Sequence, residues 1–114
     1  MSLDITLSTE VDTGGDELTY VMLADKNITH NLAEMARELG VYKQVWRGNG
    51  IDKAGDLVPF IEKAIMQMKE KPEYFKQFSA DNGWGTYEQF LPWLEELLID
   101  CKAHPKADIS FSYW

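Results

Sequence analysis

The sequence predicts an α+β domain: a small antiparallel sheet, built from an N-terminal hairpin and a C-terminal strand, with three to four helices packed on one face. Three observations predict it. Residues 3 to 11 alternate between apolar and polar side chains, residues 29 to 103 switch to helical spacing, and the tail from Asp108 alternates again. No repeat, linker or low-complexity stretch interrupts the pattern, so residues 1–114 read as one domain.

In the first segment Leu3, Ile5, Leu7, Thr9 and Val11 fall on one side and Asp4, Thr6, Ser8 and Glu10 on the other, the period of a half-buried strand. Asp12-Thr13-Gly14-Gly15-Asp16 supplies turn chemistry. A second strand over 18–24 then closes an antiparallel hairpin. From Thr29, Leu32, Met35, Ala36 and Leu39 recur at i, i+3, i+4 and i+7, predicting a helix that Gly40 ends.

Residues 41–46 are too short to assign, and Arg47-Gly48-Asn49-Gly50 reads as a loop. Asp56 reads as the N-cap of a second helix with Pro59 at its third position, its buried face traced by Leu57, Phe60, Ile61, Ala64, Ile65 and Met68. Lys71-Pro72 ends that helix, and residues 72–78 form a short extra turn or helix. Thr86 caps the last helix, whose apolar face is Phe90, Leu94, Leu97, Leu98 and Cys101. Pro92 lies several residues in, where it removes a ladder bond and kinks the first turns. Ala103-His104-Pro105 ends this helix, and residues 108–114 form the last strand, which pairs with one strand of the hairpin.

A composition of 45% apolar and 26% charged residues is that of an ordinary soluble protein. The net charge of −8 argues against nucleic acid as a partner, because phosphate binding needs a basic surface. A local basic face around Arg37, Lys43 and Arg47 is left open. One cysteine, Cys101, rules out an internal disulfide and a multi-cysteine zinc site. No apolar run approaches the roughly 20 residues of a membrane span, and the first residues lack signal-peptide order. A cytoplasmic protein is therefore expected.

Two polar-aromatic clusters are expected to open helices: Asn27-Ile28-Thr29-His30-Asn31 and Asp81-Asn82-Gly83-Trp84-Gly85-Thr86-Tyr87. A helix opening presents N–H groups and partial positive charge. His30 can act as acid, base or ligand, and Trp84 can stack on a planar group while Asn82 reads a polar edge. Each cluster also has a plainer reading. Thr29 caps its helix with His30 and Asn31 bonded to a nearby loop, and Trp84 plugs the top of the core. Trp46-Arg47 is a third candidate, with Arg47 paired to a ligand anion or internally to Asp81 or Glu34.

The candidate ligand-binding residues are thus Thr29, His30, Asn31, Trp46, Arg47, Asn82, Trp84 and Tyr87. Nucleophile-elbow, P-loop, dinucleotide and His-Glu-x-x-His signatures are absent. No catalytic residue, cofactor or metal is assigned. His30 and Glu34 share a helix face but no second histidine motif supports them, and Cys101 reads as a buried, inert thiol.

The segments Asn27-Ile28-Thr29-His30-Asn31-Leu32, Met35-Ala36, Gly40-Val41-Tyr42, Val45-Trp46-Arg47, Phe75-Lys76-Gln77-Phe78, Asn82-Gly83-Trp84-Gly85-Thr86-Tyr87-Glu88 and Cys101-Lys102-Ala103-His104-Pro105-Lys106-Ala107 resemble a family of small bacteriophage- and prophage-encoded proteins without an established function. The resemblance covers roughly residues 20 to 110. Pro92 and the aromatic tail (Phe111, Tyr113, Trp114) depart from the expected pattern. It implies a phage accessory protein in a bacterial cytoplasm. Three expectations follow: binding of a host protein or a small polar ligand at the two clusters; a small enzyme with His30 as general base on an anionic substrate; or a homo-oligomer assembled through residues 108–114, with Ile109, Phe111 and Tyr113 on its apolar face.

Overall fold

A computed structural model describes residues 2–113. Alternation along the first segment gives strand β1 (Ser2–Val11), with Leu3, Ile5 and Leu7 fully buried, and β1 pairs antiparallel with β2 (Thr19–Thr29). The last strand, β3 (Asp108–Tyr113), pairs antiparallel with β1 from Leu3↔Tyr113 to Ser8↔Asp108, so the sheet order is β2-β1-β3 with β1 in the centre. Trp114, which the sequence places in this strand, lies outside the described residues.

β2 runs five residues past its predicted end at Ala24 and takes in Asp25-Lys26-Asn27-Ile28-Thr29. The polar half of the strand is held across the ladder. Asn27 Nδ2 donates to Asp4 Oδ1 at 2.7 Å, Thr6 Oγ1 donates to Asp25 Oδ1 at 3.3 Å, and Ile28 returns to the core. The first cluster is therefore a strand end rather than a helix opening. Thr29 caps only a 3₁₀ turn (His30–Leu32), which leads into the short helix α1 (Ala33–Glu38). The predicted stripe survives this change: Leu32, Met35, Ala36 and Leu39 are buried, and Gly40, at φ +76°, follows the helix.

Residues 42–45 form one helical turn, α2 (Tyr42–Val45), which sets Trp46 into the core. Helix α3 (Ala54–Glu70) begins earlier than predicted. Asp56 is not its N-cap but its third residue, with a carboxylate that accepts from the backbone N–H groups of Asp52 and Lys53, each at 3.0 Å. The helix start is closed instead by the distant segment after the last helix: Ala54 N donates to Ala107 O at 3.0 Å and Gly55 N to Pro105 O at 2.9 Å. Pro59 is consequently the sixth residue of α3, not the third. The chain continues through α4 (Pro72–Lys76) and α5 (Tyr87–Ala103), where Thr86 and Gln89 form a capping box. Pro92 is also a sixth residue, and α5 remains helical through it.

The result is the α+β architecture expected, a three-stranded antiparallel sheet and five helices. The long helices α3 and α5 pack together through Leu57, Ile61, Ala64, Met68, Phe90, Trp93, Leu94, Leu97 and Cys101. Ile109, Phe111 and Tyr113 of β3 are partly buried against this core. No helix among the described residues is long and apolar enough to cross a membrane. Beyond the reach of β3, residues 9–23 continue as a two-stranded arm, in which every residue from Glu10 to Met22 is exposed.

Candidate functional site

The two clusters meet, and they meet through Asn31. Its Nδ2 donates to the carbonyl oxygen of Trp84 at 2.9 Å. Gly85, at φ +104°, lies so close to the 3₁₀ turn that a Cβ there would sit 3.0 Å from Asn31 Cβ, 3.1 Å from Thr29 Cγ2 and 3.3 Å from Leu32 Cγ. That close approach is why a glycine stands at this position.

The loop from Ala80 to Thr86 is tied through the backbone groups of Ala80 and of Gly83 to Thr86. Ala80 N donates to Gly85 O at 2.9 Å, Gly83 N to Ala80 O at 3.2 Å, and Trp84 N to Asn82 Oδ1 at 3.0 Å. The Gln89 amide does the rest: Oε1 accepts from Gly85 N and Thr86 N at 2.9 and 3.0 Å, while Nε2 donates to Gly83 O at 3.2 Å. Yet Trp84 itself is 71% exposed. The sequence reading in which this indole plugs the core is corrected. The ring stands in solvent on a loop whose backbone is bonded on both sides of it, at Gly83 and Gly85.

Two clefts flank the Asn31–Asn82 pair. One, of about 650 Å³, is lined by Asn31, Glu34 and residues 77–82. The other, of about 590 Å³, runs past Thr29, Asn31, Asn82, Trp84 and Gln89. Amides and carboxylates dominate the first, which suits it to hydrogen-bonding polar groups rather than to apolar ligands. Sequence reasoning missed Gln77, Phe78, Ser79 and Ala80 as lining residues, because nothing in their spacing marks a cleft wall.

Three of the helix-opening N–H groups are already taken by side chains of the protein itself. Ser79 Oγ accepts from Tyr87 N at 2.9 Å, Thr86 Oγ1 from Gln89 N at 3.3 Å, and Thr29 Oγ1 from Asn31 N at 3.3 Å. Tyr87 is a structural residue, buried with its hydroxyl donating to Met68 O at 2.7 Å.

His30 lines neither cleft. Its Nδ1 accepts from the indole N–H of the fully buried Trp46 at 3.2 Å. That bond assigns the proton of the neutral ring to Nε2, so the remaining nitrogen is a donor. A general base needs a free lone pair, and this geometry gives the base reading no support. Partial burial, with Arg37 and Arg47 nearby, lowers the His30 pKa from its ordinary value of 6.5.

The sign follows from this shift. The native state favours neutral imidazole, so this contribution to stability is complete above the unfolded-state pKa and is lost as pH falls through the folded value. NMR titration of the ring should place His30 below 6.5, and Arg37→Gln should move it upward. An unmoved His30 in that variant would show that the guanidinium has no part in the shift.

Arg47 pairs with neither Asp81 nor Glu34. Its guanidinium lies 5.3 Å from the Tyr113 ring centroid and 6.0 Å from that of Tyr42, where Arg37 sits at 4.1 Å. Tyr42 in turn stacks on Trp46, their centroids 6.2 Å apart. Arg37, Lys43 and Arg47 have no carboxylate partner among the described residues, and all three lie about Tyr42. Cys101 is buried on the inner face of α5, and burial pushes its thiol up to about 12. Among the described residues no group of three or more His, Cys, Asp and Glu side chains gathers to hold a metal.

The structure thus joins Thr29, Asn31, Asn82 and Trp84 in one place, and separates His30, Trp46 and Arg47 from them as a packing and cation–aromatic unit. No family model, no curated protein and no solved structure matches this chain.

Proposed function

We propose that this chain is an interaction protein that engages a partner protein through the Ala80–Thr86 loop, with Trp84 as the anchor and the Asn31–Asn82 clefts receiving polar groups beside it. The observation that supports this reading is the exposed indole of Trp84 on a stretch, Gly83 to Thr86, held by backbone and side-chain hydrogen bonds. A large aromatic side chain held on a rigid backbone loses little conformational entropy when it enters a pocket, the property of binding hot spots. The resemblance to phage and prophage proteins is the ground for seeking the partner in a bacterial cytoplasm.

Trp84→Ala tests the proposal, because an exposed side chain can be removed without disturbing the fold. The expected result is a loss of at least roughly 30-fold in affinity for a partner captured from host lysate, the effect of a hot-spot residue, with an unchanged melting temperature. Equal capture by the variant would sink the anchor role. A large fall in melting temperature would return Trp84 to a packing role.

A further inference from the structure

A cavity beside Tyr42 shares no lining residue with the two clefts at Trp84. It has about 450 Å³ and is lined by Arg37, Gly40, Tyr42, Lys43 and Gln44. Three elements bring cations to it. Arg37 stands in the last turn of α1, and Gly40 turns the chain so that α2 returns Tyr42 and Lys43 to the same place. Lys63 comes from α3: a Cβ on Gly40 would stand 3.3 Å from its Nζ, so the bare glycine leaves that ammonium its position. The Tyr42 ring, itself stacked on the buried Trp46, seats the Arg37 guanidinium 4.1 Å from its centroid and so fixes where that charge stands.

No acid of the protein answers these charges. Acidic residues outnumber basic ones 19 to 11, and Lys26, Lys53, Lys69, Lys76 and Lys102 each pair with a carboxylate. Arg37, Lys43 and Lys63 pair with none among the described residues. The acids nearest to them along the chain are placed elsewhere. Glu38 accepts from the Tyr74 hydroxyl, Glu62 pairs with Lys102, and Glu34 lines the cleft at Asn82. Like charges gathered without a counter-ion repel one another, and an anion seated between them removes that cost.

We infer that this cavity binds a compact phosphate-bearing anion, held by Arg37, Lys43 and Lys63 with the Gln44 amide beside them. A phosphoryl group carries about −1.5 to −2 charge and three acceptor oxygens directed apart, which suits donors arriving from α1, α2 and α3. A carboxylate offers two oxygens in one plane. The ligand is compact because the positive potential is local. An extended polyanion such as nucleic acid would reach past the cavity, beyond a screening length of about 10 Å, onto a molecule of net charge −8 that repels it.

Isothermal titration calorimetry with inorganic tripolyphosphate tests the site. The expected result is one site per chain, with an affinity that weakens as salt screens it. Arg37→Gln should lower the affinity roughly 10-fold or more, the loss of a charge-assisted hydrogen bond, and adding Lys63→Gln should lower it further. Lys106→Gln removes the same charge from an exposed lysine that does not line this cavity, and should bind as the unaltered protein does. All these side chains are exposed, so the variants should keep the melting temperature of the unaltered protein without ligand. Tripolyphosphate should raise that temperature only where the site is intact. A nucleoside triphosphate titrated in parallel identifies the source. Equal or weaker affinity means that the phosphoryl chain alone is read, tighter affinity that the attached group is read too, and both uphold the site. Binding of neither, or equal losses in Arg37→Gln and Lys106→Gln, would overturn the inference. So would citrate or a single-stranded oligonucleotide binding as tightly as tripolyphosphate.

Discussion

Replacing Trp46 with alanine is expected to remove about 3–5 kcal/mol of stability, the range for truncating a fully buried tryptophan. A domain of this size has about 5–15 kcal/mol in total, so the variant should lie near the edge of folding. The indole is wholly buried, with Phe90 edge-on to it at 5.9 Å, Tyr42 stacked on it, and His30 bonded to its N–H. Alanine removes the packing and leaves His30 Nδ1 without its donor. Urea denaturation measures the change as a fall in midpoint at nearly constant slope.

Trp46→Phe separates the two contributions. It keeps most of the apolar volume but deletes the N–H, so its smaller loss should be accompanied by an upward move of the His30 titration, because the bond that favours neutral imidazole is gone. A Trp46→Ala loss below about 1 kcal/mol, the size of a surface change, would mean that the indole does not organise this corner of the core.

Gly85→Ala is expected to cost about 2–4 kcal/mol, because two independent penalties fall on one atom. At φ +104° an L side chain is strained, and the added Cβ meets three atoms of the 3₁₀ turn at 3.0 to 3.3 Å. None of the three can retreat freely, since they belong to Thr29, Asn31 and Leu32, which bridge β2 and α1. Relief comes by pushing the Ala80–Thr86 loop off the turn, which breaks the Asn31–Trp84 bond. The variant should lose both stability and the partner binding that Trp84 anchors. Gly83→Ala is the comparison. Its φ is +78° but a Cβ there meets nothing within 4 Å, so only the backbone penalty applies. Equal losses at the two glycines would show that the contact with the turn is unimportant.

The sheet and the long helices were legible because their signals are local. Alternation in β1 and the 3.6-residue stripes of α3 and α5 describe burial directly, and the Thr86–Gln89 capping box lies within four residues. What escaped the sequence depends on distant neighbours. Asp25-Lys26-Asn27 alternates no apolar side chain and is strand only because Asp4 and Thr6 pair with it. Asp56 resembles an N-cap, but carbonyl groups from Pro105 and Ala107 fix where α3 begins. Of the candidate site, the residue types were legible and their orientation was not. Gly-Trp-Gly reads the same whether the indole plugs a core or stands out of it, and only the bonds made by Asn31 and Gln89 decide between them.

The central position of β1 also governs the order in which the chain can fold. Its partner on one side, β2, follows directly after a short turn, whereas Leu3 and Tyr113 on the other side are 110 residues apart in sequence. Closing so long a loop carries an entropic cost that must be met before the pairing is rewarded. The hairpin can form on its own timescale, but β3 docks only after α3 and α5 have brought its apolar face within reach. Until then β1 presents an open edge on that side. A chain arrested before β3 docks is thus a state with an unsatisfied sheet, and its lifetime sets how far newly made protein is exposed to misassembly.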